Sequence, residues 1–496
     1  MRIGWTLALF AVLACGRHQA AHHDATGDGL NTTVATCTTD TDCAGAKCCT
    51  GVCVVTADCS FAVTNVSPAL GFVNGGEWFQ LTGTGFAPGM KVFIGDGRAP
   101  VRVSSPTTAV IQTPPGPAGV TDVRIELGTQ TATLLKGFTY RIGGLEQEWE
   151  QKPLQVVRGE DPGLAVMQDG RVLIAGGTPV PDSDVSALAT AEIYDRISDT
   201  VAPAANAMST QRWHASAITL LTGKVLVVGA TCDACTGDGT RADLFDPTTN
   251  TFTPTAHPLN RPRTYPRSVL LTDGRVVISS ENDPTLELYD PDTDTFTVVP
   301  HTQLHRYGFV VRLRDGRVLI GAGDGGVTAA ELLDFDAGTD TATASPLVQG
   351  RSMVTAHTLP SGKVAIIGGA SVSAGGITVP LASIELFDPA TNTFATAPYQ
   401  LATPRCWHAS ALVRDGTVLA MGGYTIAGMC NSGVATVEQI DPLFATVTPF
   451  PTLLNTNTEW TAVTLLDGSI LGVGGGACGT SMALPDIDFL KGAPIQ

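Results

Sequence analysis

The sequence predicts an all-β protein, and three observations carry the prediction. One stretch, RCWHASALVRDGTVLAMGG at residues 405–423, recurs in altered form six more times along the chain. The 496 residues include 55 Gly and 31 Pro but only 15% charged residues, a composition of many short strands joined by turns. No long stretch places apolar residues at the 3.6-residue period of an amphipathic helix. A chain of this length exceeds one ordinary core, so several domains or a repeat array are expected. The formal charge of -17 repels nucleic acid and anionic lipid headgroups, and neither is expected as a partner.

The chain begins MRIGWTLALFAVLACG, with Arg2 ahead of an apolar run from Trp5 to Ala14 and then Cys15. That run is too short for a permanent membrane-spanning helix and has the form of a secretory signal. Val12-Leu13-Ala14-Cys15 resembles the lipobox of bacterial lipoproteins, which implies a diacylglyceryl group on the Cys15 thiol and a membrane contact through that anchor alone. Gly16, rather than Asp, after the cysteine implies the outer membrane or cell surface in hosts that follow the enterobacterial sorting rule. Ordinary cleavage near Ala20 or Ala21, giving a secreted protein, is the alternative. Residues 16–36 read as a polar tether, with His18, His22 and His23 in solvent.

The cysteines agree with export. Cys37, Cys43, Cys48, Cys49, Cys53 and Cys59 crowd into residues 37–60, a segment too small to fold on apolar burial alone, so disulfides are expected to hold it. Six cysteines allow about 15 connectivities, among which the sequence does not choose. The spacing resembles small cysteine-rich modules of bacterial surface proteins, and a zinc site is the competing reading.

Residues 61–142 change to short alternating strands with glycine-rich turns: NVSPALGFVNGGEWFQLTGTGFAPGMKVFIGDG, then IQTPPGPAGVTDVRIELG, then GFTY. Alternation of apolar and polar residues suits a two-sheet sandwich, with glycines where the chain reverses. Pro68, Gly75-Gly76, the LTGTGF turn ending at Phe86, Pro114-Pro115-Gly116, Phe138 and Tyr140 resemble the IPT/TIG immunoglobulin-like domain over its whole length. The resemblance implies a spacer or adhesive module.

The repeats occupy residues 143–496. Their turn glycines are Gly170, Gly223, Gly274, Gly316, Gly362, Gly416 and Gly468, spaced by 53, 51, 42, 46, 54 and 52 residues. After each hairpin comes EIYD, DLFDP, ELYDP, LLDFD, ELFDP or EQIDP and then a Thr-rich strand, giving four strands per unit. This order and the period near 50 residues resemble the kelch repeat, which implies a β-propeller, since such units bury both faces only by packing radially. The seventh unit stops short of a fourth strand, while EQEWEQKPLQV at residues 146–156 has the aromatic-centred character of an outer strand. Pairing the two closes the ring and removes an exposed edge. Seven blades are therefore expected, with six blades and a tail as the alternative. DPDTDT at residues 290–295 lacks the glycine of a calcium loop and reads as a turn.

Differences between the blades carry the functional reading. Residues just before each inner hairpin share the face that bears the loops between second and third strands. Arg212, Trp213, His214, Arg263, Tyr265 and Arg306 are placed there, as are Tyr307, Arg351, Arg405, Trp407, His408 and Trp460. Arginines there suit carboxylates by bidentate pairing, and aromatics suit sugar rings by stacking. The competing reading keeps the arginines on blade carbonyls and the aromatics packed between blades. Long loops follow Gly177, Ala230, Gly369 and Gly423, against short ones in the third and fourth blades, so the rim is expected to be high on one side. Cys232 and Cys235 are expected to pair within one long loop, and two of Cys406, Cys430 and Cys478 to pair elsewhere.

Copper-radical oxidases of the galactose oxidase type resemble this chain in setting a seven-bladed kelch domain behind a β-sandwich. The resemblance implies a site of two tyrosines, one crosslinked to cysteine, and two histidines, one from an added C-terminal domain. Here Tyr194 and Tyr289 fall in third strands away from the axis, and no Tyr-His motif lies on an inner strand. Serine-hydrolase, zinc-protease and phosphate-loop motifs are also missing from the sequence. The expectation is a monomeric, non-enzymatic surface binding or adhesion protein without a cofactor, taking a protein or carbohydrate at the propeller face. A secreted or envelope enzyme acting on polysaccharide is the alternative, with His214 and His408 as its best ionisable pair.

Overall fold

The computed structural model describes residues 34–159, 161–179, 187–229, 239–372, 378–426, 433–455, 460–475 and 486–493. Cys15, Cys232, Cys235, Cys430 and Cys478 lie outside the described residues, as do parts of the long loops on the predicted rim.

Alternation in the first 110 described residues produces a sandwich. One sheet runs Lys47–Cys49, Val52–Thr56, Gln130–Arg141, Gly119–Leu127, Lys91–Ile94 and Gly97–Ala99; the other runs Ala62–Ser67, Trp78–Thr84, Thr108–Gln112 and Val101–Ser105. Between them Phe79, Phe138 and Tyr140 meet edge to face, at 5.2 and 5.0 Å between centroids. The buried Tyr140 hydroxyl donates to the Pro114 carbonyl at 2.7 Å, which ties the Pro-Pro-Gly loop to the last strand. Gly85 of the LTGTGF turn has φ +71°, and a Cβ there would stand 2.3 Å from the Ser60 carbonyl oxygen.

The cysteine segment is oxidised as Cys37–Cys48, Cys43–Cys53 and Cys49–Cys59, which leaves these thiols no part in a zinc site. Disulfides are not its whole support. Its hairpin pairs along the last sandwich strand, with Val54 opposite Leu134, and Cys49 and Val54 lie in the sandwich core.

Seven further four-stranded antiparallel sheets are the blades among the described residues. Five use four consecutive strands of a unit, and a sixth does so around an inserted two-stranded hairpin, Ala370–Val372 with Thr378–Pro380. The seventh takes Trp460–Thr464, Ile470–Gly474 and Asp486–Gly492 from the end of the chain and its outer strand, Leu145–Pro153, from the beginning. Trp149 stands opposite Leu490, is 5% exposed, and donates its indole N–H to the Pro451 carbonyl at 2.9 Å. Second strands such as Val172–Ala175, Val225–Val228 and Val364–Ile367 are buried at every residue, because each blade is covered on both faces. DPDTDT is a turn: the Asp290 carboxylate accepts the Asp292 N–H at 2.9 Å.

The sandwich is more than a spacer. It donates backbone N–H groups from Arg98, Val101 and Gly143 to the carbonyls of Arg314, Thr272 and Arg414 in propeller turns, at 2.7, 3.1 and 3.1 Å. Asp336 of the propeller receives Arg98 at 2.6 Å and Lys91 at 2.8 Å, and the Arg414 guanidinium lies 3.5 Å over the Phe72 ring. Residues 74–78 of the sandwich and inner strands from all seven blades enclose a cavity of about 490 Å³. The sandwich thus stands against one end of the axial channel.

Candidate binding site at the axial channel mouth

Two sets of side chains stand at the approach to each inner hairpin, two residues apart in sequence and different in role. The first stands eleven residues before the turn glycine: Arg212, Arg263, Arg351 and Arg405 relative to Gly223, Gly274, Gly362 and Gly416. Arg158 plays the same part in the first blade. All five are at most 1% exposed. Each faces an acid on the third strand of its own blade: Arg158–Glu192 at 2.8 Å, Arg212–Asp243 at 2.6 Å, Arg263–Glu287 at 3.4 Å, Arg351–Glu385 at 2.7 Å and Arg405–Glu438 at 2.7 Å. Four also donate to the carbonyl of the glycine ending the second strand, as Arg351 does to Gly368 at 3.0 Å. The acid in turn accepts backbone N–H groups from the approaching chain, Glu385 from Val348 and Gln349 at 2.8 and 3.0 Å. The terminal nitrogens of these guanidinia are committed to their own blades, and the Nε of Arg212, Arg263 and Arg405 is buried without a hydrogen-bond partner among the described residues, so none is presented to a ligand from solvent. Arg212, Arg263, Arg351 and Arg405 are therefore structural, which corrects their assignment as ligand-binding residues.

The glycines serve the same lattice. Gly177 donates its N–H to the Arg212 carbonyl of the next blade at 2.9 Å, and a Cβ on Gly176 would stand 2.4 Å from that oxygen. In the fourth blade, the residue eleven before Gly316 is His305 rather than Arg306. His305 takes the arginine's place, with Nε2 2.6 Å from Glu331 and Nδ1 2.7 Å from the Ala322 carbonyl. Arg306 is exposed, 3.6 Å from Glu281 and 4.9 Å over the Tyr307 ring, away from the cavity lining. Counting back from the turn glycine would have found this; matching the letter R did not.

The second set stands nine residues before the turn glycine: Asp161, His214, Tyr265, Tyr307, Met353 and Trp407. Each has positive φ, from 38° for Asp161 to 57° for Met353. Left-handed geometry at non-glycine residues costs of order 1–3 kcal/mol each and persists only where the surroundings impose it. Part of what imposes it is visible in the backbone: Met353 N–H donates to the Tyr307 carbonyl at 2.7 Å, and Trp407 N–H to the Met353 carbonyl at 3.3 Å. The turn aims side chains from successive blades at one axis.

There they meet around a cavity of about 350 Å³ lined by Asp161, His214, Tyr265, Met353 and Trp407, with Arg267 and Thr355 among its deeper residues. The His214 ring is stacked between Trp213 and Tyr265, at 4.5 and 3.7 Å between centroids. Tyr307 closes edge-on against Tyr265 and Trp407, at 5.3 and 5.0 Å. His214 Nδ1 lies 3.0 Å from Asp161 Oδ2, which fixes the tautomer that leaves Nε2 with a lone pair; Nε2 is buried without a partner among the described residues. Arg267 is open to the channel lumen yet surrounded by protein; burial lowers its pKa and the Asp161 charge opposes that shift.

His408 stands beside Thr355, with Nε2 3.0 Å from Oγ1, and burial first, then the Arg405 and His357 charges, push its pKa down to about 3. It is neutral at any ordinary pH. His214 and His408 line one cavity but share no acidic group, so the pair does not converge on a common carboxylate. Trp460 is 3% exposed and its ring packs on Gly472, where a Cβ would come within 1.9 Å, so it is largely a packing residue, and it also stands among the residues lining this cavity. Asp161, Met353 and Arg267 escaped the sequence reading because their repeats carry a residue of a different chemical type at each place.

Comparison with known proteins supports the two halves separately. Residues 62–140 match the family model of the IPT/TIG domain. No curated protein matches the chain. Among solved structures, a novel fungal alcohol oxidase of the AA5 family, in complex with copper, aligns with TM-score 0.55 and 16% identity over 71% of this chain and 76% of its own. The structure of YjhT aligns with TM-score 0.45 and 14% identity over 60% of this chain and 99% of its own. At these identities the likeness is one of fold. It nevertheless corrects the expectation of a chain that is not an enzyme: the fold used to argue for binding alone is also that of a copper alcohol oxidase, so it gives no ground for setting catalysis aside.

Proposed function

We propose that the channel mouth binds a saccharide, or a similarly polyhydroxylated ligand, and that His214 and Asp161 move a proton on it. The observation that carries this reading is the set of six non-glycine residues held at positive φ at the same place in successive blades, five of which line one cavity while Tyr307 packs on two of them. A strained ring repeated around the axis but different in chemistry at each blade is what a ligand site requires of a repeat fold. The rings of Trp407 and Tyr307 offer apolar faces and edges for a sugar, while Arg267 and Asp161 offer a donor and an acceptor for its hydroxyls. His214, oriented through Nδ1 by Asp161, presents Nε2 as the group to take or return a proton.

The copper named with the fungal alcohol oxidase belongs to that protein and is not carried over to this mouth. Among the described residues, no set of three His, Cys, Asp or Glu donors converges there. The Cys406 sulfur faces the Tyr424 carbonyl at 3.8 Å, and His214 is tied to Asp161. No step is assigned to copper.

A panel of saccharides tested by calorimetry examines the site. Trp407→Ala and Tyr307→Ala should each weaken binding by roughly 1–3 kcal/mol with little change in melting temperature. Binding that survives both substitutions would remove the site from the mouth, and loss of fold in both would make these rings packing residues. The protein is exported and tethered through lipid at Cys15 in this reading, so Cys15→Ala should move it from the membrane fraction to the soluble one. Unchanged membrane retention would exclude that anchor.

A further inference from the structure

The fourth blade departs from its neighbours at one point, and the departure assembles a donor set. Where five other blades bury an arginine against a third-strand acid, this blade buries His305 against Glu331, 2.6 Å from Nε2 to Oε2. Four residues earlier, at the end of the preceding blade, stands His301, whose Nδ1 lies 2.8 Å from Asp340 Oδ2. The two imidazoles are 5.7 Å apart between centroids, and one ligand atom from each of His301, His305 and Glu331 lies within 4.8 Å of the others. All three residues are buried, and the side chain of His301 is 1% exposed.

Hydrogen bonding shows which atoms are available. His301 Nδ1 donates to the Asp340 carboxylate, so the neutral ring carries its lone pair on Nε2, and that buried atom has no hydrogen-bond partner among the described residues. His305 Nδ1 donates to the Ala322 carbonyl at 2.7 Å, so in the neutral ring the lone pair is on Nε2, which stands 2.6 Å from the Glu331 carboxylate. Two lone pairs and a carboxylate aimed at one another are repulsive unless a proton or a cation stands between them. An arginine at residue 305 would fill this place with its own charge, as in the other blades. An imidazole does so only when doubly protonated or when it coordinates.

We propose that His301, His305 and Glu331 form a binding site for a divalent transition metal, with zinc favoured by the donor set. Two imidazoles and one carboxylate with a fourth position open are a common zinc environment, and donor atoms on such an ion stand about 3.3 Å apart, a small spread from the present positions. Both histidines already carry the outer partner that metal-bound imidazoles use, Asp340 on one and the Ala322 carbonyl on the other. The Glu331 side chain is 11% exposed, which gives the ion its route from solvent. The metal clamps the crossover between the third and fourth blades and does the work that the buried ion pair does elsewhere.

The test uses the full oxidised chain, stripped with chelator and titrated with Zn²⁺ against a chromophoric competitor, with Co²⁺ as a spectroscopic probe. The parent should bind one equivalent more than His301→Gln, His305→Arg and Glu331→Gln, and should show visible cobalt bands that these variants lack. Histidines of residues 18–23 contribute equally to all four proteins, so the difference is what counts. His305→Arg restores the residue used in the other blades and should keep the fold while losing the metal; His301→Gln, farther from the blade core, guards against a folding failure. Asp340→Asn should weaken binding by roughly 10- to 100-fold without abolishing it. Zn²⁺ should raise the melting temperature of the parent only. Equal stoichiometry in parent and variants, or no binding by the parent, would overturn the site, as would undiminished binding in any one of the three ligand variants.

Discussion

Arg351 and Met353 are two residues apart on the same approach, yet one is sealed in a blade and the other lines the channel. Arg351 is 1% exposed and held by Glu385, Gly368 and Ser383; Met353 has φ +57° and stands at the cavity. The same division recurs at Arg212 and His214, Arg263 and Tyr265, and Arg405 and Trp407. The repetition therefore has two layers. Where the residue type is constant, the side chain satisfies its own blade; where only the backbone geometry is constant, the side chain is left for something else.

Removing the sealed arginine should produce the largest effect. Arg351→Ala leaves Glu385 buried with its main counter-charge gone and should cost about 3–5 kcal/mol in urea unfolding. Replacing both partners with apolar residues, Arg351→Met with Glu385→Leu, should recover most of that loss, because the unpaired charge rather than the missing bond carries the penalty. Similar instability of single and double variants would mean that the guanidinium's bonds to the Gly368 and Ser383 carbonyls dominate instead.

Acid should unsettle the channel wall next. His408 titrates near 6.5 when unfolded and about 3 in the fold, because burial and the nearby Arg405 and His357 disfavour its charge. A depressed histidine pKa means that the unfolded state binds protons first, so its contribution is intact above pH 6.5 and is lost progressively down to about pH 3. By pH 5 the loss should reach roughly 2 kcal/mol. His408→Gln should roughly halve the slope of that part of the stability curve, leaving a fall of similar size due to His357, which is held at about 4 by burial. A curve of unchanged slope would place the acid sensitivity elsewhere.

Much of the architecture was legible because it is periodic. The turn glycines gave the blades, and the missing fourth strand of the last unit pointed to Leu145–Pro153 as the closing strand. The IPT/TIG pattern was local and was found by its turns. What was not legible depends on distance along the chain. Asp161 meets His214 across 53 residues, and nothing in either sequence neighbourhood announces the other. The placing of the sandwich against one channel end rests on contacts such as Arg98 with Asp336, 238 residues apart. The arginines misled for a different reason: a charged residue ahead of an apolar strand suggests solvent, and only the acid on the third strand explains why it is inside.

The smallest effect should come from the residue the sequence made most conspicuous in the fourth blade. Arg306 follows the letter of the repeat but stands one place late, with its guanidinium exposed and its nearest acid, Glu281, 3.6 Å away. Exposed pairs of this kind contribute about 0–1 kcal/mol, so Arg306→Ala should shift stability by no more than about 0.5 kcal/mol in urea unfolding. Arg351→Ala, at the aligned letter one blade on, should cost several times more. A large loss at Arg306 would show that its guanidinium carries a share of the fourth blade's stability that its exposure and its distance from Glu281 do not account for, and the division between the two layers would then fail in that blade.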